Sequence, residues 1–279
     1  MSSITSLTSA TRAIVVEQPG LATTVQDLGR PGLAHIGIPP SGAVDPSLAA
    51  FVNRLVGNDP DAAVIETCGR LAVRARGAVL IASSFEPAPI WLRDGERYRL
   101  EGGFGRLWHY LAVGGGVDVA AVLGSRSTDT LSGLGPPLIA TGDELPVGPP
   151  SDAPVTTDHA PLAELRRVAR ISPGPRLDWF EPATFERLAA SVCTVTASSR
   201  IGVRIRGPAL RRSITGELPT EGLVRGALQA PPGGELVMML ADHPTTGGYP
   251  VIAVVHPDDV AVIAQSEPGS ELRFSARSR

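Results

Sequence analysis

The sequence lacks lysine altogether, since every one of its 25 basic residues is an arginine. This absence excludes Schiff-base catalysis by lysine and the phosphate-binding loop of P-loop NTPases, because both require a lysine side chain. Any bound anion must therefore be held by arginine, histidine or backbone N–H groups. Aromatic residues make up only 4% of the chain and are not interleaved with basic ones, so nucleic acid is not an expected partner.

Cysteine is also scarce, with Cys68 and Cys193 far apart in apolar surroundings. Free thiols are the expected state, and the absence of CxxC and HExxH motifs predicts no metal site. The N-terminus MSSITSLTSATR has neither the basic nor the apolar region of a secretory signal, and no apolar run approaches the length of a membrane span. We therefore expect a cytoplasmic protein without membrane contact.

Glycine and proline are abundant, at 31 and 26 of 279 residues, and predict short elements joined by many turns. The clearest helix is predicted for residues 46–56, where apolar residues follow helical spacing. Asp45 is its expected N-cap, and Pro46 suits the first helical position. Weaker helices are predicted for residues 183–191 and 258–265.

Strand-like stretches account for much of the remaining chain. They are residues 71–83 with a turn at Gly77, and residues 97–100, 107–113, 192–197, 202–205, 234–241 and 251–255. We expect residues 97–100 to pair with residues 107–113 across a turn at Gly102 and Gly103. Strands this short predict a mainly β protein of twisted sheets or barrels with a few helices.

A polar, proline-rich stretch, residues 146–162, separates two strand-rich halves and is the predicted linker. We therefore predict an N-terminal lobe of residues 1–157 and a C-terminal lobe of residues 158–279. Glycine-rich polar loops occur in both lobes, and we expect these loops to meet at a shared cleft.

The first loop, residues 23–45, joins turn-forming glycines to the polar side chains of Gln26, Asp27, Arg30, His35 and Ser41. A loop of this length usually has a function. The alternative is a folded surface loop in which Asp27 pairs with Arg30, and both interpretations stay open. Asp45 is expected mainly to cap its helix.

The second loop follows a predicted strand within residues 111–128, which read LAVGGGVDVAAVLGSRST. Its glycines allow close approach of backbone to a ligand, but the pattern is not GxGxxG, so a dinucleotide site is not expected. The amides of residues 124–128 and the side chain of Arg126 form a candidate anion nest. A plain β-turn with a solvated arginine is the alternative.

The third loop, residues 240–250, reads LADHPTTGGYP and follows an apolar strand. Asp242 and His243 are therefore expected at the rim of that strand, with Tyr249 beyond two glycines. Glu221 and Gln229 are possible companions from upstream. A solvent-facing turn is an equally good explanation for His243.

Long motifs in these loops and elsewhere resemble one family. They are TTVQDLGRPG, HIGIPPSGAVD, NRLVGN, YLAVGGGVDV with LGSRST, RIGVRIRGP, ELPTEG, ALQAP and ADHPTTGGYP, spread from about residue 14 to residue 274. The family is that of KipA, or the C subunit of 5-oxoprolinase, also called allophanate hydrolase subunit 2 or biotin-dependent carboxyltransferase subunit. The resemblance implies two cyclophilin-like β-barrel lobes.

The function implied by this resemblance is that of the C subunit in an ATP-dependent 5-oxoprolinase. Such a complex opens the cyclic amide 5-oxoproline to glutamate, together with a LamB/YcsF-like protein (the A subunit) and a KipI-like protein (the B subunit). Two alternatives stay open: a biotin-dependent carboxyltransferase, and a non-catalytic regulatory partner of a KipI-like protein. Because no P-loop signature is present, ATP would be held through other residues or by a partner protein.

The resemblance also implies roles for residues in the three loops and in the motifs RIGVRIRGP, ELPTEG and ALQAP. Catalytic roles in proton transfer or substrate orientation are predicted for Asp27, His35, Asp242, His243 and Tyr249. Substrate or anion binding is predicted for Gln26, Arg30, Ser41, Gly124, Ser125, Arg126, Ser127, Arg200, Glu221, Gln229, Thr245, Thr246, Gly247 and Gly248.

The chain departs from the family pattern at three places. Val251 stands where many relatives have lysine, and Ser199 stands where many have Asp or Asn. Asp129 and Leu131 follow LGSRST, where many relatives show an aromatic residue and an arginine. The missing ammonium group weakens any mechanism that needs one, and the other two departures leave Arg126 and Arg200 as the expected anion holders.

Overall fold

The computed structural model describes residues 12–86, 88–103, 105–150 and 166–276, and in that part the protein is mainly β, as predicted. The predicted lobe boundary at residues 157 and 158 lies outside the described residues, as do residues 151–162 of the predicted linker. Strands of the N-terminal half are β1 (Ala13–Gln18), β2 (Ala22–Gln26), β3 (Val64–Cys68), β4 (Leu71–Arg76), β5 (Val79–Ser83), β6 (Ile90–Leu92), β7 (Arg97–Leu100), β8 (Trp108–Val113) and β9 (Glu144–Pro146).

These strands form two sheets that enclose an apolar core. One sheet has the order β7-β4-β1-β9, and the other has the order β2-β3-β8-β5-β6. Apolar residues alternate with others along β4, so one face of this strand can pack on the core. Leu71, Val73 and Ala75 are buried, and the intervening side chains are more exposed. Ile14 of one sheet and Ile65 of the other belong to the same buried cluster.

Helix α1 (Pro46–Leu55) begins as predicted and packs on β8 and β5. The Asp45 side chain accepts a hydrogen bond from the Leu48 N–H at 3.1 Å, and Pro46 occupies the first turn. The apolar stripe buries Leu48, Val52 and Leu55. The helix ends at Leu55, one residue before the predicted end.

The C-terminal half closes into a barrel of order β10-β17-β14-β15-β12-β11-β18, in which β18 returns to β10 as a parallel neighbour. Its strands are β10 (Val168–Pro173), β11 (Val192–Ser198), β12 (Gly202–Arg206), β13 (Glu221–Gly222), β14 (Ala227–Gln229), β15 (Glu235–Met239), β16 (Thr246–Gly247), β17 (Val251–Val255) and β18 (Glu271–Ala276). The short strands β13 and β16 pair outside the barrel. Helices α2 (Thr184–Ala190) and α3 (Val260–Ala264) are shorter than the predicted helices there. The predicted barrel is therefore confirmed for this half, while the described strands of the N-terminal half form open sheets.

The predicted pairing of residues 97–100 with residues 107–113 is wrong. Strand β7 pairs with β4 at the edge of one sheet, whereas β8 lies between β3 and β5 in the other. Every residue of β8 is buried, which is typical of a central strand covered on both faces. The glycines at 102 and 103 therefore connect two sheets, so a local turn signal does not identify the pairing partner.

The segment of residues 41–45 attaches the N-terminal half to the barrel. Ser41 N–H donates to Ala241 O at 3.1 Å, and Arg200 Nη2 donates to the carbonyl of Gly42 at 2.7 Å. Val44 and Trp108 also belong to the apolar core of the barrel. This segment therefore holds loops of both halves in one arrangement.

Both cysteines are free thiols, as predicted. In the described ranges, no helix is long and apolar enough to cross a membrane. Within those same ranges, no group of three or more His, Cys, Asp or Glu side chains is placed to hold a metal ion.

Candidate functional site

A buried ion-pair network, which we call the Arg200 network, joins the two halves beside residues 41–45. Arg200 is 2% exposed and donates from Nε and from Nη2 to the two carboxylate oxygens of Asp242, each at 2.9 Å. Its Nη1 donates to Glu66 of β3, which is fully buried. One guanidinium of the barrel thus balances two buried carboxylates, one from each half.

Every oxygen of Asp242 is engaged in this network. Ser41 Oγ donates to one oxygen at 2.8 Å, while Thr130 N–H and Oγ1 donate to the other at 2.9 and 2.7 Å. Burial by itself would raise the pKa of Asp242, but the charge and hydrogen bonds of Arg200 outweigh it and lower the pKa. A buried, ionised and fully bonded carboxylate suits a positioning role better than the proton transfer that the sequence suggested. The Arg200 guanidinium is likewise occupied by the protein and not open to an external anion.

Asp27 fills the turn that the sequence marks as an anion nest. Its Oδ1 accepts from Ser125 Oγ and Ser127 Oγ, both at 2.6 Å, and from Gly29 N–H at 2.7 Å. Its Oδ2 accepts from the Arg126 N–H at 2.6 Å. The protein's own carboxylate therefore occupies the donors that an external anion would need.

A polar groove of about 340 Å³ opens beside this turn. Its lining includes Asp27, Asp59, Asp61, Gly124 and Arg126. The Arg126 side chain already donates to Val119 O at 2.8 Å and to Asp118 at 3.0 Å. Three carboxylates facing one paired arginine do not fit a triphosphate, so the residues of this groove do not suit ATP.

Gln26, Arg30 and Ser41 hold the first two loops together below the surface. Gln26 Nε2 donates to Thr128 O at 2.9 Å, and Ser41 Oγ, which donates to Asp242, lies 3.0 Å from the same carbonyl. Arg30 is 2% exposed and donates to Ser127 O at 2.5 Å and to Val122 O at 3.3 Å. The alternative Asp27–Arg30 ion pair is not found among the described contacts. Residues 23–45 and 122–128 therefore form one bonded unit.

The rings of the two histidines of the predicted site contact nearby backbone carbonyls. His35 is exposed, and its Nδ1 is 3.0 Å from Gly32 O. His243 is buried, its Nδ1 is 2.7 Å from Pro244 O, and burial lowers its pKa. In the described ranges, neither ring is hydrogen-bonded to Asp27 or Asp242.

A second hollow, the barrel groove, has a volume of about 600 Å³ and runs over the outer face of β12, β14 and β15. Its lining is Arg204, Arg206, Gln229, Pro231, Pro232, Gly233, Glu235, Val237, Met239 and Tyr249. Strand alternation explains the arginines, because the neighbouring residues Val203 and Ile205 point into the barrel. Val237 and Met239 form an apolar floor and belong to a small cluster outside the main core.

Three polar groups of the barrel groove lack a partner within the part of the chain that the structure describes. The Arg204 guanidinium meets no carboxylate, whereas its neighbour Arg206 pairs with Glu235 at 3.2 Å. Gln229 is 4% exposed, and its Nε2 donates to Tyr249 O at 3.1 Å, which leaves Oε1 without a donor. The Tyr249 hydroxyl also has no partner in those ranges, and the residue is 49% exposed. These groups are available to a ligand.

Gly247 of β16 packs closely against side chains beside the barrel groove. A Cβ on Gly247 would lie 2.7 Å from Gln229 Nε2, which is too close unless that side chain moves. Glu221 lies opposite Gly247 in the β13–β16 pair, and its carboxylate pairs with Arg176. Neither residue lines the groove. The other members of this segment, Thr245, Thr246 and Gly248, line neither groove.

The structure thus brings the third loop to the other two only at its beginning. Asp242 contacts Ser41 and Thr130, whereas Tyr249 faces the barrel groove. The polar groove and the barrel groove share no lining residue. Among the residues that the structure describes, the polar groove and the barrel groove are separate, so these two hollows do not form the single cleft that the sequence suggested.

Arg204, Met239 and Glu66 were not among the predicted site residues. A signal for Arg204 was present in GVRIR, where period-two alternation places both arginines on the face opposite Val203 and Ile205. No comparable signal exists for Glu66, because its partner Arg200 is 134 residues away in sequence.

Comparison with known proteins identifies the family of this chain. The model of the family described as "Carboxyltransferase domain, subdomain A and B" matches residues 36–276. The chain belongs to this family. It is 33% identical over 273 residues to the C subunit of 5-oxoprolinase from Escherichia coli (strain K12), and the alignment covers 91% of this chain and 88% of that relative.

Two solved structures share the fold. The crystal structure of TTHA0988 superposes with a TM-score of 0.84 at 30% identity and covers 95% of this chain and 56% of that chain. The K. lactis urea amidolyase gives a TM-score of 0.87 at 26% identity, covering 98% of this chain and 19% of that chain. The chain therefore spans about half of the first solved chain and about a fifth of the second.

Proposed function

We propose that this chain is the C subunit of an ATP-dependent 5-oxoprolinase and that its barrel groove binds 5-oxoproline. The similarity to a known 5-oxoprolinase component extends over most of both chains. The observation that carries the proposal is the chemistry of the groove, where one unpaired guanidinium, one unpaired amide oxygen and one free phenol surround an apolar floor.

Each part of 5-oxoproline has a matching group in the barrel groove. The substrate is a five-membered lactam that carries a carboxylate, and Arg204 supplies a cation for that carboxylate. Gln229 Oε1 can accept the lactam N–H, and Tyr249 can cover the ring and donate its hydroxyl to the lactam carbonyl. Val237 and Met239 provide apolar contact for the ring methylene groups.

The role that follows for this chain is to bind and orient the lactam. An amide carbonyl is a poor electrophile, so ATP serves to activate its oxygen before water opens the ring. Because the polar groove does not suit a triphosphate, we assign ATP binding to the two partner proteins, which are LamB/YcsF-like and KipI-like. Tyr249 and Gln229 would then present the lactam to a reaction that the assembled complex performs.

Reconstitution tests this proposal. The chain is purified with its LamB/YcsF-like and KipI-like partners from the same organism, supplied with 5-oxoproline and ATP, and assayed for glutamate and ADP. We expect both products with the full set and neither when this chain is omitted. Absence of glutamate from the complete, assembled complex would refute the proposal.

The same preparation distinguishes the alternatives. A biotin-dependent carboxyltransferase would require a biotinylated carrier protein and would transfer its carboxyl group to a small amide. A regulatory partner would bind the KipI-like protein, and glutamate would form equally well with or without this chain. We expect neither behaviour.

A further inference from the structure

A third hollow, which we call the side pocket, adjoins the barrel groove and has a volume of about 240 Å³. Its lining is Phe180, Leu210, Arg212, Ala230, Pro231, Pro232, Gly234 and Glu235. The two hollows share Pro231, Pro232 and Glu235. The cation Arg204 and the phenol of Tyr249 line only the barrel groove, which is larger and more open. The side pocket is therefore a separate place for a ligand, with a cation of its own.

That cation is Arg212, and it is unpaired. Its Nη2 donates to the carbonyl of Ala230 at 2.6 Å, and in the part of the chain that the structure describes its guanidinium makes no other hydrogen bond and meets no carboxylate. Glu235 is the only acidic residue in the described lining, and it pairs with Arg206 at 3.2 Å. The unbalanced charge of the side pocket is therefore positive, which favours an anion.

Backbone contacts fix Arg212 at the wall of the side pocket. Arg212 and Phe180 form an antiparallel β-bridge, and the N–H of the neighbouring Ser213 donates to Trp179 O at 2.9 Å. The bond from Nη2 to the carbonyl of Ala230 then holds the guanidinium itself. A cation that is held in place before binding loses little conformational freedom when an anion arrives, so more of the attraction remains as affinity.

The rest of the lining is mostly apolar and sets the size and chemistry of the ligand. Phe180 is buried and Leu210 is half-buried, and both lie on the same pocket as Ala230, Pro231 and Pro232. Pockets for drug-sized ligands typically measure about 300–1,000 Å³. A volume of about 240 Å³ therefore suits a smaller molecule. Inorganic phosphate has no apolar surface and would leave this wall without a contact.

We propose that the side pocket binds a small monocarboxylate with an apolar, preferably aromatic, body. The carboxylate accepts hydrogen bonds from the N–H groups of Arg212 that have no partner, and the body packs on Phe180 and Leu210. A second negative charge on the ligand would find no further unpaired cation in this lining. The proposal does not rest on the function proposed for the barrel groove, because it concerns other residues and needs neither ATP nor a partner protein.

Calorimetric titration of the full chain with phenylacetate at pH 7 tests the proposal. We expect one binding site for phenylacetate. The neutral isostere phenylacetamide lacks the charge, and acetate lacks the apolar body, so each should bind at least roughly tenfold more weakly. Equal affinity for phenylacetate and phenylacetamide would overturn the proposal, and so would the absence of phenylacetate binding at millimolar concentrations.

Variants of the chain locate the site. Arg212→Gln should raise the Kd for phenylacetate roughly tenfold or more, because it removes a charge-assisted hydrogen bond. Arg211→Gln, at an exposed neighbour, is the matched control and should leave the Kd unchanged, as should Arg204→Gln in the barrel groove. An unchanged Kd for Arg212→Gln would contradict the assignment, and a loss of binding in Arg204→Gln would move the ligand to the barrel groove and contradict it as well.

A crystal structure of the unmodified chain with phenylacetate decides the question even if Arg212→Gln does not fold. We expect the carboxylate against Arg212 and the ring against Phe180. Phenylacetate density found only outside the side pocket would overturn the proposal.

Discussion

Arg200→Met is expected to destabilise the folded protein strongly. It removes a guanidinium that donates to both oxygens of Asp242 at 2.9 Å, to Glu66 and to the carbonyl of Gly42. Methionine replaces the aliphatic stem of arginine but not its guanidinium, so some packing is lost together with the charge. Two carboxylates, both without solvent contact, are left with no cation inside the network.

The expected loss of unfolding free energy follows from the cost of an unpaired buried charge. Removing one partner of a buried pair typically costs about 3–5 kcal/mol, and the upper end applies here because one cation serves two carboxylates. For a chain of this size, about 5 kcal/mol corresponds to a fall in Tm of roughly 10 °C. Arg206→Met is the matched control, since its pair with Glu235 is on the surface and contributes about 0–1 kcal/mol.

Urea unfolding at pH 7 measures both variants. A loss of less than about 1 kcal/mol for Arg200→Met would refute the assignment of this network as a structural connection between the halves. The pH dependence gives a second check. The folded protein holds the pKa of Asp242 below its value in the unfolded chain. The stability that Asp242 contributes is therefore fully present above the unfolded pKa, and it is lost as pH falls through the folded pKa. The difference in unfolding free energy between Arg200→Met and the unmodified protein should therefore narrow in acid, where the Asp242 carboxylate takes up a proton.

Two further predictions concern stability in acid and the edge of the barrel groove. Burial lowers the pKa of His109 to about 4, and its Nε2 accepts from Gly103 N–H at 3.1 Å, so stability should fall between about pH 6.5 and 4. Urea titrations at several pH values should show that this residue accounts for a loss of up to about 3 kcal/mol of unfolding free energy. The His109→Gln protein should lack this part of the loss. The same dependence of unfolding free energy on pH in both proteins would contradict the prediction. Gly247→Ala should displace Gln229 and raise the KM for 5-oxoproline several-fold in the assembled complex. Gly248→Ala is the control, because a Cβ there has nothing closer than 3.6 Å, and equal KM values for the two variants would contradict the role of Gly247.

Local patterns were sufficient to predict helix α1 and eight of the 18 strands in the described residues. Asp45 and Pro46 mark the start of the helix through hydrogen bonding and backbone restriction within a single turn, which depends on no distant residue. The alternation of apolar residues along β4 likewise indicates which face of the strand is buried. These features are encoded by neighbours in sequence, so they can be read without coordinates.

Pairing and ligand access could not be predicted in the same way, because they depend on distant partners. The polar residues of the 124–128 turn resemble an open anion nest until Asp27, about 100 residues earlier, is seen to fill it. Asp242 resembles a catalytic acid at a strand rim until Arg200, Ser41 and Thr130 are seen to occupy its oxygens. The family motifs therefore include residues that hold loops in place as well as residues that face a hollow.

Steady-state kinetics of Arg204→Gln in the assembled complex of all three proteins test the central claim most directly. Arg204 is the unpaired cation of the barrel groove, and a charge-assisted hydrogen bond to a carboxylate is worth about 1.5–3 kcal/mol. We predict that kcat/KM for 5-oxoproline falls roughly 10- to 100-fold, while Arg170→Gln, an exposed barrel arginine paired with Asp259, leaves it unchanged. An Arg204→Gln complex with the same kcat/KM as the unmodified enzyme would contradict the assignment of this groove.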